Sequence, residues 1–326
     1  MEETTVKIIS KSEMLPNMTC SNFFHSIELF GIIERSSRQT PYMAVAYDSK
    51  GNVTAHLLAI VRRRGSLIPP YLFTHGRIYG EGDYETNCTE REKTFGLMLN
   101  AISRKFRRRM CLFVEFSDIS QKMFGYRHFR SEGYFCVNWQ EVHNSLHSKH
   151  PEERLTPKAI RYITHATEEG VSVAIANTEK QISDFYKILH KKTWINFRLL
   201  IPPYGQFLEL ALSDNADIFV TTYKGCIIGG CACTYSGGDA CMWYLATRSK
   251  RYIHLHPNYI TLWHAILHAY NKGCAHFRFL DVGLPTRSNP YRNFILSFGG
   301  KPVGKYRWFR FSIGWINSLM SWMFRG

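Results

Sequence analysis

Three side chains in the second half of the sequence could take part in acid–base chemistry: Asp281, Tyr244 and His256. Asp281 ends the apolar run 277–281, where its carboxylate could orient an amine and take its proton, or could only cap the next turn. Tyr244 lies in a strand-like run and could protonate a leaving group or be a half-buried core residue. His256 alternates with His254, and either could act as a base or contact a phosphate. As metal ligands this pair lacks a third carboxylate or thiolate nearby, so we predict no metal site.

Three cations in the same half could hold the anionic part of a substrate: Arg161, Arg292 and Lys301. Arginine suits a phosphate because its planar guanidinium group can bind two oxygens at once. Each of the three could equally be an ordinary surface charge. The aromatic residues Tyr259 and Trp243 are further candidates for contact with a substrate.

The charge balance indicates an anionic partner. The chain has 41 Lys and Arg against 26 Asp and Glu, a net charge of +15, and no acidic residue follows Asp281. A phosphate-bearing donor, tRNA or an acidic membrane face would each fit this excess, and so would solubility alone. The basic triplets at 62–64 and 107–109 could contact RNA or lipid or could be solvated.

The elements around these residues predict an α/β protein with mixed sheets and two domains. The length of 326 residues allows two domains of ordinary size. The polar, proline-containing segment 147–153 predicts a boundary between domains at 1–150 and 151–326. Both halves share a weak order of helices, a hairpin, a helix, a strand, a helix and a final strand. In the second half, 258–273 is the late helix and 276–283 is the strand after it.

The cysteines and the first residues indicate a cytoplasmic protein. The nine cysteines show no CxxC pair or zinc spacing, and most lie in apolar strand-like runs, so we expect reduced thiols. The first residues are acidic and lack an apolar signal core, and no run of 18 apolar residues occurs. We therefore expect a cytoplasmic protein that does not span a membrane.

An ordered set of short motifs in the second half resembles the FemA/FemB/FemX-like aminoacyltransferases and the BioF-like acetyltransferase domain, both of the GNAT superfold. The motifs are Arg154–Arg161 ahead of Gly170-Val171, Asp184-Phe185-Tyr186, the hairpin Ile218–Tyr235, Pro257-Asn258, Phe279–Gly283 and Phe298-Gly299-Gly300. The resemblance covers about 170 residues. It implies two tandem GNAT-like domains, the first of them degenerate.

In this superfold an amine attacks an activated acyl group directly, and backbone amides stabilise the oxyanion where central strands separate. The resemblance therefore implies no tightly bound cofactor and an acyl donor, aminoacyl-tRNA or acyl-CoA, as co-substrate. The acceptor would be an amine-bearing precursor of the bacterial cell envelope. Two features depart from the family: Ile295 stands where a lysine is usual, and a glycine-rich pyrophosphate loop is missing from 247–257.

Two alternatives concern the whole chain and its tail. The departures from the family also fit a non-catalytic module that binds RNA or a membrane through a decayed transferase fold. In the tail 312–326, small or polar residues recur at 314, 317, 318, 321 and 325, opposite a face of Trp, Ile, Leu, Met and Phe. This pattern predicts a helix that lies in the interface of an anionic membrane or packs on its own domain.

Overall fold

The computed structural model describes residues 4–65, 72–196, 201–285 and 289–324. These residues form two compact units, one of residues 1–139 with 304–326 and the other of residues 140–303. The expected domains, 1–150 and 151–326, were each a continuous segment. The described residues from Gly304 onward instead cluster with the first unit. Strand pairing between distant segments decides this membership, and a local sequence pattern does not encode it.

The first unit holds one mixed sheet and three helices before the chain leaves it. The elements are β1 (Thr5–Ile9), α1 (Ile27–Arg35), β2 (Gln39–Tyr47), β3 (Val53–Gly65), β4 (Leu72–Tyr79), β5 (Asp83–Tyr84), α2 (Arg91–Arg108), β6 (Phe113–Ser117), α3 (Tyr126–Ser131) and the start of β7 (Phe135–Ser145). The strand order is β1-β2-β3-β4-β6, with β5 also on β3. β4 and β6 pair in parallel, over five residue pairs from His75↔Phe113 to Tyr79↔Ser117.

Helix α2 packs on this sheet because its apolar residues follow a helical period. Phe95, Met98, Leu99, Ile102 and Phe106 are all buried and belong to one core together with sheet residues. The basic end of α2 is typical of a helix C-terminus, where cations interact favourably with the helix dipole.

A buried carboxylate with two arginines lies in the sheet of the first unit. Glu115 forms ion pairs with Arg77 and, at 2.9 Å, with Arg307. Burial would raise the pKa of Glu115, but the two guanidinium groups hold it well below its usual range. The arginines also lie over aromatic rings, Arg77 over Tyr79 at 4.3 Å and Arg307 over Trp139 at 4.0 Å. Loss of the carboxylate would leave two buried cations without their counter-ion, so this cluster is structural.

The second unit holds the elements named as candidates for chemistry. They are α4 (Pro157–Glu168), β8 (Ser172–Ile175), α5 (Glu179–Asn196), α6 (Tyr204–Leu210), β9 (Ala216–Tyr223), β10 (Cys226–Ser236), β11 (Asp239–Thr247), α7 (Pro257–Asn271), β12 (His276–Gly283), α8 (Pro290–Leu296) and the first residues of β13 (Lys301–Phe311). The strand order, from the second part of β7, is β7-β12-β11-β10-β9-β8. β11 and β12 pair in parallel.

Two helices on one side of this sheet position the candidate site. Helix α7 is buried on most of its circumference, at Tyr259, Ile260, Leu262, Trp263, Ala265, Ile266 and Ala269. Helix α4 lies against α7 and begins where the Thr156 hydroxyl accepts a hydrogen bond from the Ala159 amide at 3.3 Å. Pro157 then occupies the first helical position. The N-terminus of α7 is thereby held beside the exposed face of α4.

The chain ends in the first unit with a strand and a short helix. Strand β13 pairs antiparallel with β6, from Trp308↔Phe116 to Phe311↔Phe113. The helix α9 (Gly314–Met323) follows, and none of its residues is fully buried. Among the described residues, we find no helix with the length and apolar character needed to cross a membrane.

Candidate functional site

A basic groove lies beside the N-terminus of α7. Its volume is about 580 Å³, and it is lined by Arg161, Tyr162, Thr164, His165 and Glu168 of α4 and by His254 and His256 ahead of α7. Lys158, Arg161 and His165 recur at helical spacing along α4, so they lie on one face of the helix. A helix N-terminus carries a partial positive charge, which adds to these cations. The groove therefore favours an anionic ligand such as a phosphate.

His256 is one of the residues that line this groove. It has a left-handed backbone conformation (φ 42°) immediately before α7. Its ring stacks on Tyr162 at 3.5 Å between centroids and meets Tyr259 edge-on at 6.1 Å. Burial lowers the pKa of His256, and the nearby cationic groups, His165 and Lys158 first, lower it further. The imidazole is thus held neutral near pH 7, in the form that can accept a proton.

A β-bulge interrupts β11 at Trp243. Ala232 of β10 pairs with Tyr244 and the next residue, Cys233, pairs with Met242, so the register between the two strands shifts by one residue at Trp243. The bulge changes which side chains face each core. Before it Met242 contributes to the core around α7, whereas after it Tyr244 contributes to the core around α5. Bulges of this kind commonly re-aim side chains beside functional sites.

The central parallel strands separate at the same point. β11 and β12 pair over only three residue pairs, from Ala240↔Phe277 to Met242↔Phe279. Beyond Met242 no further pair joins β11 to β12 in the described register, whereas β11 stays paired with β10 as far as Thr247. Amides in such a position can donate to the oxygen of a carbonyl that becomes an oxyanion. The parallel pair of the first unit keeps five pairs.

The side chain of Lys192 on α5 reaches the part of β11 that follows the bulge. Its ammonium nitrogen donates to the Leu245 carbonyl oxygen at 3.1 Å. Lys192 as a whole residue is exposed, yet protein atoms surround its ammonium nitrogen closely enough that desolvation lowers the pKa of Lys192. Lys192 was not among the residues predicted from sequence, because it follows Lys191 in a polar stretch with no distinguishing pattern.

Asp281 is exposed on the part of β12 that lies beyond the strand separation. After Phe279, the β12–β7 register resumes only at Gly283. Tyr291 of α8 lies close enough that Asp281 contributes to raising the pKa of its hydroxyl, after burial as the main cause. The side-chain amide of Asn289 holds the end of β12 by donating to the Val282 carbonyl at 2.9 Å. The Asp281 carboxylate thus lies near the end of β12, within electrostatic range of the Tyr291 hydroxyl on α8.

The structure places all but one of the predicted site residues in three regions. Arg161, His256 and Tyr259 come together at the groove, as the ring contacts show. Trp243 and Tyr244 meet at the bulge, where Trp243 is half-buried and Tyr244 is 6% exposed.

Asp281 and Arg292 lie on β12 and α8, and Arg292 donates to the Gln140 side chain at 2.5 Å. Lys301 is the outlier, exposed at the first residue of β13. Among the described residues, no cluster of three or more His, Cys, Asp or Glu side chains could hold a metal ion.

Sequence reasoning missed several groups that shape these places. The basic face of α4 could have been found from the spacing of Lys158, Arg161 and His165, which is three and then four residues. Tyr291 carries no comparable signal, because an aromatic residue in an apolar helix is usually a core residue.

Comparison with known proteins places these features in one domain. A family model described as an acetyltransferase (GNAT) domain matches residues 158–292, which include the basic groove, the bulge and Asp281. No curated protein sequence gives a significant match.

Solved structures share the fold over nearly the whole chain. FemX matches with a TM-score of 0.62 at 9% identity over 95% of this chain and 96% of that one. L-PGS from Bacillus licheniformis matches with a TM-score of 0.57 at 12% identity over 91% of both chains. A tandem GNAT protein from the clavulanic acid biosynthesis pathway matches with a TM-score of 0.56 at 10% identity over 94% and 98%. The predicted fold of two tandem GNAT-like α/β domains is confirmed.

Proposed function

We propose that the protein transfers an acyl or aminoacyl group from an activated donor to an amine, a reaction that the match of residues 158–292 to the acetyltransferase (GNAT) domain model supports. The observation that carries the proposal is the separation of β11 from β12 at the Trp243 bulge. Past this point β11 no longer pairs with β12, and Asp281 lies on the part of β12 that faces it. The first unit keeps its parallel strands paired, so we assign the reaction to the second unit.

The reaction needs few groups from the protein. The amine nitrogen attacks the acyl carbonyl carbon, a C–N bond forms, and the C–O bond of an aminoacyl ester or the C–S bond of a thioester breaks. The amine loses a proton, and the leaving oxygen or sulfur is released as an alcohol or thiol. Asp281 is the residue we propose to orient the amine and take its proton, with Tyr291 beside it. Amides of β11 beyond Trp243 would stabilise the oxyanion.

Tyr244 and Trp243 have supporting parts in this proposal. Tyr244 is buried, and its ring packs edge-on against Phe207 of α6 at 5.5 Å, so we propose that it fixes the strand rather than protonating a leaving group. Trp243, stacked on Tyr244 at 5.5 Å, would form one side of the acyl-binding region. These placements favour binding and orientation as the main sources of rate acceleration.

The donor's phosphates would lie in the basic groove. Arg161 offers a planar set of donors, and neutral His256 offers either a hydrogen bond to a phosphate or a base. The N-terminus of α7 supplies the positive end of a 15-residue helix. Arg292 and Lys301 would have no part in donor binding, because neither lines the groove.

We propose aminoacyl-tRNA as the donor and an amine-bearing precursor of the bacterial cell envelope as the acceptor, in the cytoplasm. The motif order resembles Fem-like aminoacyltransferases, the fold is similar to that of FemX, and the net charge of +15 favours a polyanion. The family description as an acetyltransferase domain favours the second candidate, transfer from an acyl-CoA to an amino sugar or amino lipid.

Turnover with defined substrates tests the proposal. The purified protein is incubated with aminoacyl-tRNA, acetyl-CoA or longer acyl-CoAs, each with a peptidoglycan-precursor peptide, an amino sugar and an amino lipid as acceptors. We expect amide product from charged tRNA with an envelope precursor. Product from acyl-CoA alone would establish the second candidate. Binding without product in every combination would contradict acyl transfer and indicate a binding module.

A further inference from the structure

Helix α9 presents one of its faces to solvent, and this face is apolar. The exposed large side chains are Trp315 (71% exposed), Leu319 (49%), Trp322 (67%) and Met323 (57%). These positions are spaced by four, three and one residues, so they lie within one side of the helix. Single exposed apolar residues are ordinary, but a contiguous set with two tryptophans marks an interaction surface.

The opposite face of α9 fixes the helix to the first unit. The Asn317 side chain accepts from the Phe311 amide at 2.9 Å and donates to the Gly133 carbonyl at 3.0 Å. Phe324 stacks against Phe135 of β7 at 6.5 Å. The sequence pattern placed Asn317 on the polar side of the helix, and the structure turns this residue toward the protein. The tail therefore packs on its own unit through that side and leaves the tryptophan side uncovered.

A cationic segment adjoins this apolar face. Just before α9, Ser312 donates through its amide to the Leu112 carbonyl at 3.0 Å and through its hydroxyl to the Cys111 carbonyl. These hydrogen bonds bring the exposed Ile313 (44%) beside Leu112 (38%) and the neighbouring Met110 (77%). Met110 directly follows the exposed triplet 107–109 at the end of α2. The exposed apolar side chains of α9 thus continue through Ile313 and Leu112 toward Met110, the residue that follows the arginine triplet.

We propose that this surface docks on an anionic phospholipid membrane. Tryptophan is favoured at the boundary between lipid head groups and acyl chains, and neighbouring arginines attract anionic head groups. Charge argues against a second copy of this chain as the occupant, because two such cationic surfaces would repel each other. Of the other triplet, Arg62 is buried and donates to the Gln39 side chain at 3.0 Å, so it does not contribute.

The helix would lie in the plane of the membrane, with the tryptophan side among the head groups and upper acyl chains. This attachment is reversible, because a single short amphipathic helix buries little apolar area and much of its affinity comes from screened charge. The proposal does not rest on the proposed function, since binding is measured without any donor or acceptor.

Co-sedimentation of the full chain with vesicles tests the proposal. One set of vesicles is phosphatidylcholine alone, and the other is phosphatidylcholine and phosphatidylglycerol in equal amounts. We expect binding to the anionic vesicles, weaker binding at high salt and little binding to phosphatidylcholine. Each arginine near an anionic surface contributes about fivefold in affinity, so Arg108→Ala/Arg109→Ala should weaken binding about twentyfold.

Matched variants distinguish binding through this surface from general effects of charge and of exposed apolar side chains. Trp315→Ala/Trp322→Ala should lose binding about tenfold or more, since two large apolar side chains no longer enter the interface. Lys11→Ala/Lys50→Ala removes the same charge from exposed sites elsewhere in the first unit and should bind like the parent. Leu212→Ala removes an apolar side chain that is 85% exposed in the second unit and should also leave binding unchanged.

Three outcomes would overturn the proposal: absence of vesicle binding, equal binding to both vesicle types, or unchanged binding after loss of the two tryptophans. Analytical ultracentrifugation tests whether a second copy of this chain covers the face instead. If the parent protein does not bind vesicles but is a dimer, and Trp315→Ala/Trp322→Ala is a monomer, then a second copy covers this face.

Discussion

At the scale of single residues, the proposed chemistry depends on Asp281. It is the carboxylate on the part of β12 beyond the strand separation. If it orients and deprotonates the amine, Asp281→Asn should lower kcat by about 10²-fold or more, because general-base catalysis contributes that much. The KM for the donor should change little, since the donor's phosphates bind at the separate basic groove.

The matched control for this variant is Asp214→Asn, the same substitution at an exposed position of the second unit. Steady-state kinetics of both variants, with the donor that turnover identifies, would decide the role. Equal rates for the two variants would show that Asp281 only caps the turn after β12.

A second residue-scale prediction concerns His25, which is fully buried in the first unit. Its ring nitrogens face two backbone donors, the Leu58 and Gly82 amides, each at 3.1 Å. A neutral imidazole accepts at one nitrogen and an imidazolium at neither, so protonation would set an N–H against each donor. Burial, with a smaller effect of His56, lowers the pKa of His25 to about 3.

The lowered pKa makes the first unit less stable in acid. Below pH 6.5 the unfolded chain binds a proton at this histidine that the folded chain binds only near pH 3, so stability falls as the pH falls through this window. Between pH 7.5 and pH 5 we expect a loss of about 2 kcal/mol from this residue. Denaturant unfolding of the parent and His25→Gln at both pH values measures it. The same pH dependence in both proteins would contradict this assignment.

Residue-scale reasoning from sequence found part of the site. It selected Arg161 and His256 separately, and the structure brings them to one groove. Such charged and titratable residues are visible in a sequence because their side-chain chemistry is distinctive. The sequence alone gave no reason to select Lys192, because the position of this side chain depends on how α5 crosses β11.

At the scale of elements, the closing glycine pair of the second unit has a packing role. Gly299 has φ +84°, and an added Cβ would meet the Arg154 side chain and lie 2.7 Å from the Arg154 carbonyl oxygen. A backbone carbonyl cannot move away cheaply, and a non-glycine residue in this conformation is strained. We expect Gly299→Ala to destabilise the protein by about 2–4 kcal/mol.

Gly304→Ala is the control, because a Cβ there has no atom within 4 Å and the backbone conformation is ordinary. Thermal unfolding of the two variants would compare them. A Gly299→Ala protein as stable as Gly304→Ala would contradict the close approach to Arg154.

The elements themselves were largely predictable, whereas their irregularities were not. The late helix expected over 258–273 is α7 (Pro257–Asn271), and the strand expected over 276–283 is β12. Periodic apolar residues, Pro257 and Gly273 mark these segments locally. The bulge at Trp243 has no local signal, because it depends on the register between β10 and β11. The catalytic proposal therefore rests on a feature that only the pairing of strands reveals.

At the scale of the whole molecule, the two units differ in their central parallel strands and in what they expose. The second unit separates its parallel strands at the bulge, while the first keeps its pair intact and carries the exposed face of α9. The resemblance of motifs in sequence predicted the GNAT-like fold of both units. It did not predict that the last strand and helix return to the first unit, since the last strand's partner, β6, is about 190 residues away in the chain.

The net charge of +15 also acts at this scale, because a polyanionic donor would be attracted to the protein before it reaches the groove. The central claim is that the groove beside α7 holds an acyl donor by its phosphates. Arg161 is the residue whose substitution tests this claim. Lys180→Ala is its matched control, since it removes the same charge from an exposed site of α5 in the same unit.

Native mass spectrometry of the parent, Arg161→Ala and Lys180→Ala with acetyl-CoA, longer acyl-CoAs and charged tRNA tests this claim most directly. We predict that the parent and Lys180→Ala retain one class of donor and that Arg161→Ala retains it about tenfold or more weakly, the cost of a charge-assisted hydrogen bond. Retention of no donor by the parent, or equal retention by all three proteins, would contradict the account.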